Sequence, residues 1–313
     1  MSYYSYSQYL QKIFGGKTYK VVVASGLTCP TRDGSLSKAG CAFCDLRGSS
    51  SYFGKKGRGT SVQQQLQARL PQVQARFGAT RFLAYFQSYT NTYSDLDGLR
   101  QIYESALQEP QIQGLCIGTR PDCLADSVIS LLEELAQRTY VSLELGIQSF
   151  EDTTLEWLAR GHTAQDSIHA LERLKKLAPH VHICAHLIFG SPTDSPHTAR
   201  KASKILNQYP VQGAKLHQLM ILKNTELGRR WNESQFHTLS LEEYAEQVIE
   251  FIENLHPTIY LERLCATASH SEECLAPAWS CNRWKPHNQL REILKKTHCQ
   301  QGSALRSISS LTS

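Results

Sequence analysis

The sequence predicts an α/β protein folded as a single barrel-like domain, on three observations. Short apolar runs rich in Val, Ile, Leu and aromatic residues recur seven times along the chain. Segments with helical spacing stand between them. No breaker-rich linker divides the middle of the 313 residues. Such alternation buries a parallel sheet beneath helices, and an open or partial barrel satisfies it as well as a closed one.

The first strand is expected at 19–27, where "YKVVVASGL" runs into glycine. The next three fall at 80–87, 114–118 and 139–148. Three more follow at 182–190, 213–222 and 258–264, each bounded by polar or turn residues. Among the helices, the Gln-rich stretch 61–77 has amphipathic spacing with a break expected at Pro71. Residues 126–138 place Val128, Leu131, Leu132 and Leu135 on one face, and 241–255 do the same with Tyr244, Val248, Phe251, Ile252 and Leu255.

Composition narrows the class. The chain is 41% hydrophobic and 19% charged, ordinary globular usage. Its first twenty residues have no apolar core of signal-peptide length, and no run approaches the ~18 apolar residues of a membrane span. A soluble, cytoplasmic protein without membrane contact is expected. Ten cysteines in a chain of this length do not make a disulfide scaffold, so in a reducing compartment they read as thiols or metal ligands. The net charge of +5 permits a polyanionic partner without requiring one.

In parallel α/β folds chemistry gathers at the C-terminal ends of the strands. Cys29 follows the first expected strand; Gln87, Tyr89 and Asn91 lie at the end of the second; residues 119–122 follow the third; Gln148 and Ser149 end the fourth; and 190–195 follow the fifth. Cys29, Cys41 and Cys44 are the only cysteines before Cys116, and the first histidine is His162. A structural zinc needs four ligands, so the fourth would have to be distant or an aspartate such as Asp33 or Asp45. An iron–sulfur cluster accommodates three thiolates better, because three irons are then held and one coordination position stays open.

Joined to these strand ends, the cysteine loop "GLTCPTRDGSLSKAGCAFC" resembles that of radical S-adenosylmethionine (SAM) enzymes, and specifically the YhcC-type family. That family is related to the radical SAM domain of the Elongator catalytic subunit and to oxygen-independent coproporphyrinogen oxidases. "AYFQSYTNTY", "CIGTRPDCL", "LELGIQSF", "AHLIFGSP", "KLHQLMILKNTELGRRW", "LAPAWSCNRW" and "QGSAL" extend the likeness over essentially the whole chain. The resemblance implies a partial (β/α)6-type TIM barrel over residues 1–264 with a C-terminal extension at 265–313. It also implies a 4Fe-4S cluster on Cys29, Cys41 and Cys44, whose open iron takes SAM. Reductive cleavage of SAM then yields a 5′-deoxyadenosyl radical that abstracts hydrogen from a substrate, with flavodoxin or ferredoxin as the electron donor. Carried over position by position, Phe43 packs by the adenine and Gln87, Ser88 and Tyr89 meet the methionine amino group. Gln148 and Arg160 contact ribose and carboxylate, His186 stands where relatives carry an aspartate, and Arg120 offers a fork for a carboxylate. The chain departs from the family at "GSPTDS", where Ser191, Thr193 and Asp194 replace an apolar residue, a turn glycine and a glutamate. Because Thr disfavours positive φ, an altered turn and altered adenine packing are expected.

Other features have plainer readings. Cys116, Cys123 and Cys184 read as small buried hydrophobes. Cys265, Cys274, Cys281 and Cys299 read as ordinary thiols rather than an auxiliary cluster, since their gaps match no ligand spacing. His186 and His217 suit either core packing or substrate contact. Lys55, Lys56 and Arg58 lie among glycines directly after the cluster loop, as a solvated loop or a phosphate-contacting flap for RNA. Three functions compete: tRNA base modification by a radical SAM enzyme, radical chemistry on a small molecule such as a tetrapyrrole, and a non-catalytic zinc or iron–sulfur module. The complete set of SAM-contacting motifs disfavours the last.

Overall fold

The computed structural model describes residues 2–45, 60–268, 270–281 and 285–305. Among them are nine strands: β1 (Thr18–Val23), β2 (Arg81–Phe86), β3 (Ile112–Thr119), β4 (Tyr140–Gln148), β5 (His182–Phe189), β6 (Gly213–Gln218), β7 (Ile221–Leu222), β8 (Tyr260–Arg263) and β9 (Cys274–Ala276). The helices are α1 (Tyr6–Phe14), α2 (Val62–Phe77), α3 (Leu96–Leu107), α4 (Asp126–Ala136) and α5 (Asp152–Trp157), then α6 (Ala164–Leu177), α7 (Thr198–Leu206), α8 (Glu226–Glu233), α9 (Leu241–Asn254) and α10 (Lys285–Lys296). No described helix is long and apolar enough to cross a membrane.

Seven strands form one sheet in the order β1-β2-β3-β4-β5-β6-β8, every neighbouring pair parallel. The sheet curls, because Lys20 on its first strand reaches Glu262 on its last at 2.6 Å. It is a partial barrel, as the sequence implied. Helix α1 plugs one end: its N-terminus is fixed by a Ser5–Gln8 capping box, and its Tyr9 and Leu10 pack with Leu83, Tyr85 and Tyr260 inside the curl. Outside, Leu66 and Leu70 of α2, Leu99 of α3, Leu132 and Leu135 of α4 and Phe251 of α9 press on the sheet. Each such buried side chain is worth about 1.5–3 kcal/mol.

Two expectations are corrected. The run 213–222 is two strands: the main-sheet strand ends at Gln218, and Ile221–Leu222 pairs antiparallel with β9. The hydrophobic run continues because Leu219 and Ile221 enter a separate core with Ala42, Leu158 and Leu227. Pro71 does not break α2, which is continuous. Its ring lies on the exposed face, where the carbonyl deprived of its N–H partner can face water, while Leu66 and Leu70 hold the other face. Cys116 and Cys184 are fully buried, as expected of small hydrophobes, whereas Cys123 is half-buried.

Candidate active site

The strand ends surround a cavity of about 690 Å³, and Cys29, Cys41 and Cys44 all stand on its wall. Local turns fold their loop: the Cys29 carbonyl accepts the N–H groups of Arg32 (2.8 Å) and Asp33 (3.1 Å), and the Cys41 carbonyl that of Cys44 (3.0 Å). Fully buried Ala42 pins the loop from both sides, donating to the Leu158 carbonyl and accepting from Leu227, each at 2.8 Å. Arg32 folds back to donate to the carbonyls of Cys44 (2.9 Å) and Asp45 (2.6 Å). It fits because Gly40, at φ 80°, has no Cβ; one would lie 2.9 Å from the guanidinium.

The sulfurs face hydrogen-bond donors. The Thr90 hydroxyl donates to Cys29 Sγ (3.2 Å), and Thr31 Oγ1 lies 3.1 Å from Cys29 Sγ and 3.9 Å from Cys41 Sγ. Arg160 Nη1 donates to Cys41 Sγ at 3.0 Å, with Arg120 Nη1 at 3.9 Å. Burial alone would raise the Cys41 thiol, but the two guanidinium charges bring it below its ordinary value of 9.0. The thiolate, the form that binds metal, is thereby favoured. Among the described residues no three His, Cys, Asp or Glu side chains form a single-ion site. Of the two suggested zinc ligands, Asp33 is exposed, whereas Asp45 is buried on the cavity wall beside the cysteines.

Of the eight positions expected to touch SAM, Phe43, Gln87, Tyr89, Arg120, Gln148, Arg160 and His186 line the same cavity. Ser88 is buried and off its wall. Asn91 clamps this strand end, its Nδ2 donating to the carbonyls of Phe86 (3.0 Å), Ser88 (3.1 Å) and Gly118 (3.0 Å). Tyr89 and Gln148 are held at φ 63° and 69°. Non-glycine residues there cost on the order of 1–3 kcal/mol each, and such strain gathers at functional sites. Arg160 Nη2 donates to the Gly146 carbonyl (2.8 Å), where a Cβ would sit 2.9 Å from Gln148 Nε2 and 3.4 Å from Arg160 Nη2. Its guanidinium also lies 5.8 Å from the Phe43 ring centre.

Arg120 departs from its expected role. Its Nε and Nη2 are taken up by the two oxygens of Asp122 (2.9 and 2.8 Å), and Nη2 also donates to the Arg160 carbonyl (2.6 Å). A fork already closed on an aspartate buttresses Arg160 rather than offering itself to a ligand carboxylate. The 190–195 turn also differs from expectation. Positive φ falls on Gly190 (95°) rather than Thr193, and Asp194 closes the turn by accepting the N–H groups of Gly190 (2.9 Å) and Ser191 (3.0 Å).

A buried charge network escaped the sequence reading. Glu144, on β4, is ion-paired with Lys20 of β1 and lies 2.9 Å from Lys215 of β6, which also lies 2.9 Å from Glu262 of β8. Tyr85 donates to Glu144 at 2.6 Å, and His186 Nε2 lies 2.7 Å from the same carboxylate. Burial pushes the Glu144 carboxyl up, but Lys20 and Lys215 hold it well below 4.5; the carboxylates hold Lys215 above its usual range against the same burial. The signal was available: "YKVVV", "SLELG", "AKLHQ" and "YLERL" each set a charge inside an apolar run. Lys55, Lys56 and Arg58 lie outside the described residues.

Comparison with known proteins agrees with this geometry. A family model described as the radical SAM superfamily matches residues 37–204, and one described as the radical SAM C-terminal domain matches 211–296. Protein YhcC of Escherichia coli (strain K12) is 34% identical over 299 residues, 95% of this chain and 93% of that one. A tRNA uridine(34) acetyltransferase of Methanocaldococcus jannaschii is 28% identical over 167 residues, 52% of this chain and 29% of that one. Among solved structures, Elp3 of the archaeon Methanocaldococcus infernus, with its N-terminus deleted, superposes with a TM-score of 0.66 at 17% identity, covering 91% of this chain and 64% of that one. The chain thus spans less than two thirds of each of the last two proteins, and at 17% identity the superposition speaks for the fold.

Proposed function

We propose a reaction from the premise that this chain belongs to the radical SAM superfamily: Cys29, Cys41 and Cys44 hold a 4Fe-4S cluster, and SAM lies in the cavity against Gln87, Tyr89, Gln148 and Arg160. The observation that carries this reading is the convergence of three thiols, their donors and these residues on one cavity. When bound, the cluster supplies the electron that cleaves SAM to methionine and a hydrogen-abstracting 5′-deoxyadenosyl radical. The chain's own work is to keep Cys41 ionised through Arg160, brace Arg160 through Arg120 and Asp122, and hold Tyr89 and Gln148 in their left-handed conformations. A flavodoxin- or ferredoxin-type reductant completes the system. We keep the division into a core at 1–264 and an extension at 265–313 as part of this proposal; Cys265, Ala266, Thr267 and His270 of the extension line the cavity.

Reduced protein is expected to release 5′-deoxyadenosine and methionine from SAM slowly without substrate. Arg160→Ala should weaken SAM binding by about 1.5–3 kcal/mol, the scale of a charge-assisted hydrogen bond. Calorimetry at matched iron content checks this, and unchanged affinity would remove Arg160 from the site.

For the substrate we favour a tRNA base. The support is that half of the chain resembles tRNA uridine(34) acetyltransferases, and that Lys55, Lys56 and Arg58 leave the cluster loop as a basic run. Mass spectrometry of tRNA nucleosides from cells lacking the protein should reveal a missing or accumulated modification. If these side chains meet phosphates, each one replaced by glutamine should lower the salt slope of tRNA binding by roughly 0.7–0.9. Failure to bind tRNA better than a protein of similar charge would move the reading to a small molecule such as a tetrapyrrole.

A further inference from the structure

The cavity wall formed by β6 and β8 carries a cation that no carboxylate among the described residues pairs. Lys20 and Lys215 are balanced by Glu144 and Glu262, two charges against two. Arg263, in register with Lys215 on the neighbouring strand, adds a further positive charge to the same wall. Among the described residues no carboxylate lies within ion-pair distance of its guanidinium. The residues outside the described set include no aspartate or glutamate that could supply one. Its Nε meets the Leu216 carbonyl only at the long limit, 3.5 Å, so the planar Nη edge keeps its donors for something else.

Beside it, His217 is set in one tautomer. Its Nδ1 lies 2.5 Å from the Gln218 carbonyl, which can only accept, so Nδ1 carries the proton and Nε2 is an acceptor. Burial first, and the Arg263 charge second, hold its pKa down to about 3, so it adds no charge of its own. The arginines on the cysteine side are committed elsewhere: Arg120 to Asp122 and Arg160 to Cys41 and Gly146.

We propose that Arg263 seats an anionic group of the substrate, a carboxylate or a phosphate, on the β6–β8 wall of the cavity, with His217 beside it accepting a hydrogen bond from a neighbouring donor of that substrate. This rests on the reading of the cavity as the active site and adds the substrate's chemical class. A guanidinium edge binds either oxyanion through paired N–H donors.

The test titrates anaerobically purified protein with sodium acetate and, separately, inorganic phosphate, following the His217 ring by NMR, its signal assigned by loss in His217→Gln. Saturable shifts are expected, tighter for acetate if the natural group is a carboxylate and for phosphate if it is a phosphate. Arg263→Gln should weaken them at least tenfold, and Arg263→Lys, which keeps the charge without the fork, should fall between. Both variants should keep wild-type melting behaviour and SAM affinity. If neither anion shifts His217, if Arg263→Gln responds like wild type, or if it loses SAM binding as Arg160→Ala does, the proposal is overturned. A wild-type protein that bound acetate through Arg263 but never bound SAM would instead sink the radical reading while leaving the anion site standing.

Discussion

Replacing Cys29, Cys41 and Cys44 together by alanine is expected to strip the protein of iron and sulfide and abolish SAM cleavage. Wild-type protein purified without oxygen should approach about four irons and four sulfides per chain. The argument is geometric before it is chemical. The three sulfurs line one cavity, and Thr31, Thr90, Arg120 and Arg160 are aimed at them. Donors directed at sulfur stabilise thiolate and tune a cluster, whereas burial pushes the Cys116 and Cys184 thiols up, with the Glu262 carboxylate 3.9 Å from Cys184 Sγ acting in the same direction. Cys41→Ala alone should be nearly as damaging as the triple variant, because Cys41 is where both guanidinium groups converge. Metal analysis and 5′-deoxyadenosine assays, with circular dichroism as a folding control, decide the matter. One zinc per wild-type chain made with iron supplied would end the radical SAM assignment of this loop.

The second large effect is on stability. Glu144→Gln should destabilise the fold by about 3–5 kcal/mol, the scale for breaking a buried ion pair from one side. The variant leaves Lys20 and Lys215 facing an amide in a site where the glutamate side chain has no solvent exposure. The sign with pH follows from the depressed carboxyl. Its folded pKa lies well below 4.5, so its contribution is full above that value and fades as pH falls through the lower folded one. Acid destabilisation below about pH 4.5 should therefore be shallower in the variant. Glu262, also lowered through Lys20 and Lys215 against its own burial, leaves part of the slope in place. Denaturant melts between pH 3 and 7 measure both. A loss under about 1 kcal/mol at pH 7 would mean that the lysines find other partners.

All seven main-sheet strands were legible as short apolar runs, because β2 to β6 are buried on nearly every residue and the half-buried edge strands β1 and β8 keep enough apolar positions to show the same pattern. The thiol loop was legible from spacing and from its place after the first strand. The two strands within 213–222 were not, because Leu219 and Ile221 satisfy a hydrophobic pattern whichever core receives them. Arg120 was read as a ligand fork because nothing local distinguishes a guanidinium aimed at a cofactor from one closed on Asp122, two residues away.

The sequence by itself determined the α/β alternation, the order of strands and which loop carries the thiols, since periodicity and turn chemistry act within a few residues. The tertiary structure alone decided the partners of the buried charges. Lys20 meets Glu262 across 242 positions of chain because the sheet curls until its first and last strands face each other. A charge without water must find an opposite one, and the curl sets which one is in reach. The same curl brings Arg263 to the cavity wall with no carboxylate within ion-pair reach among the described residues, a distinction that the local pattern "YLERL" does not record.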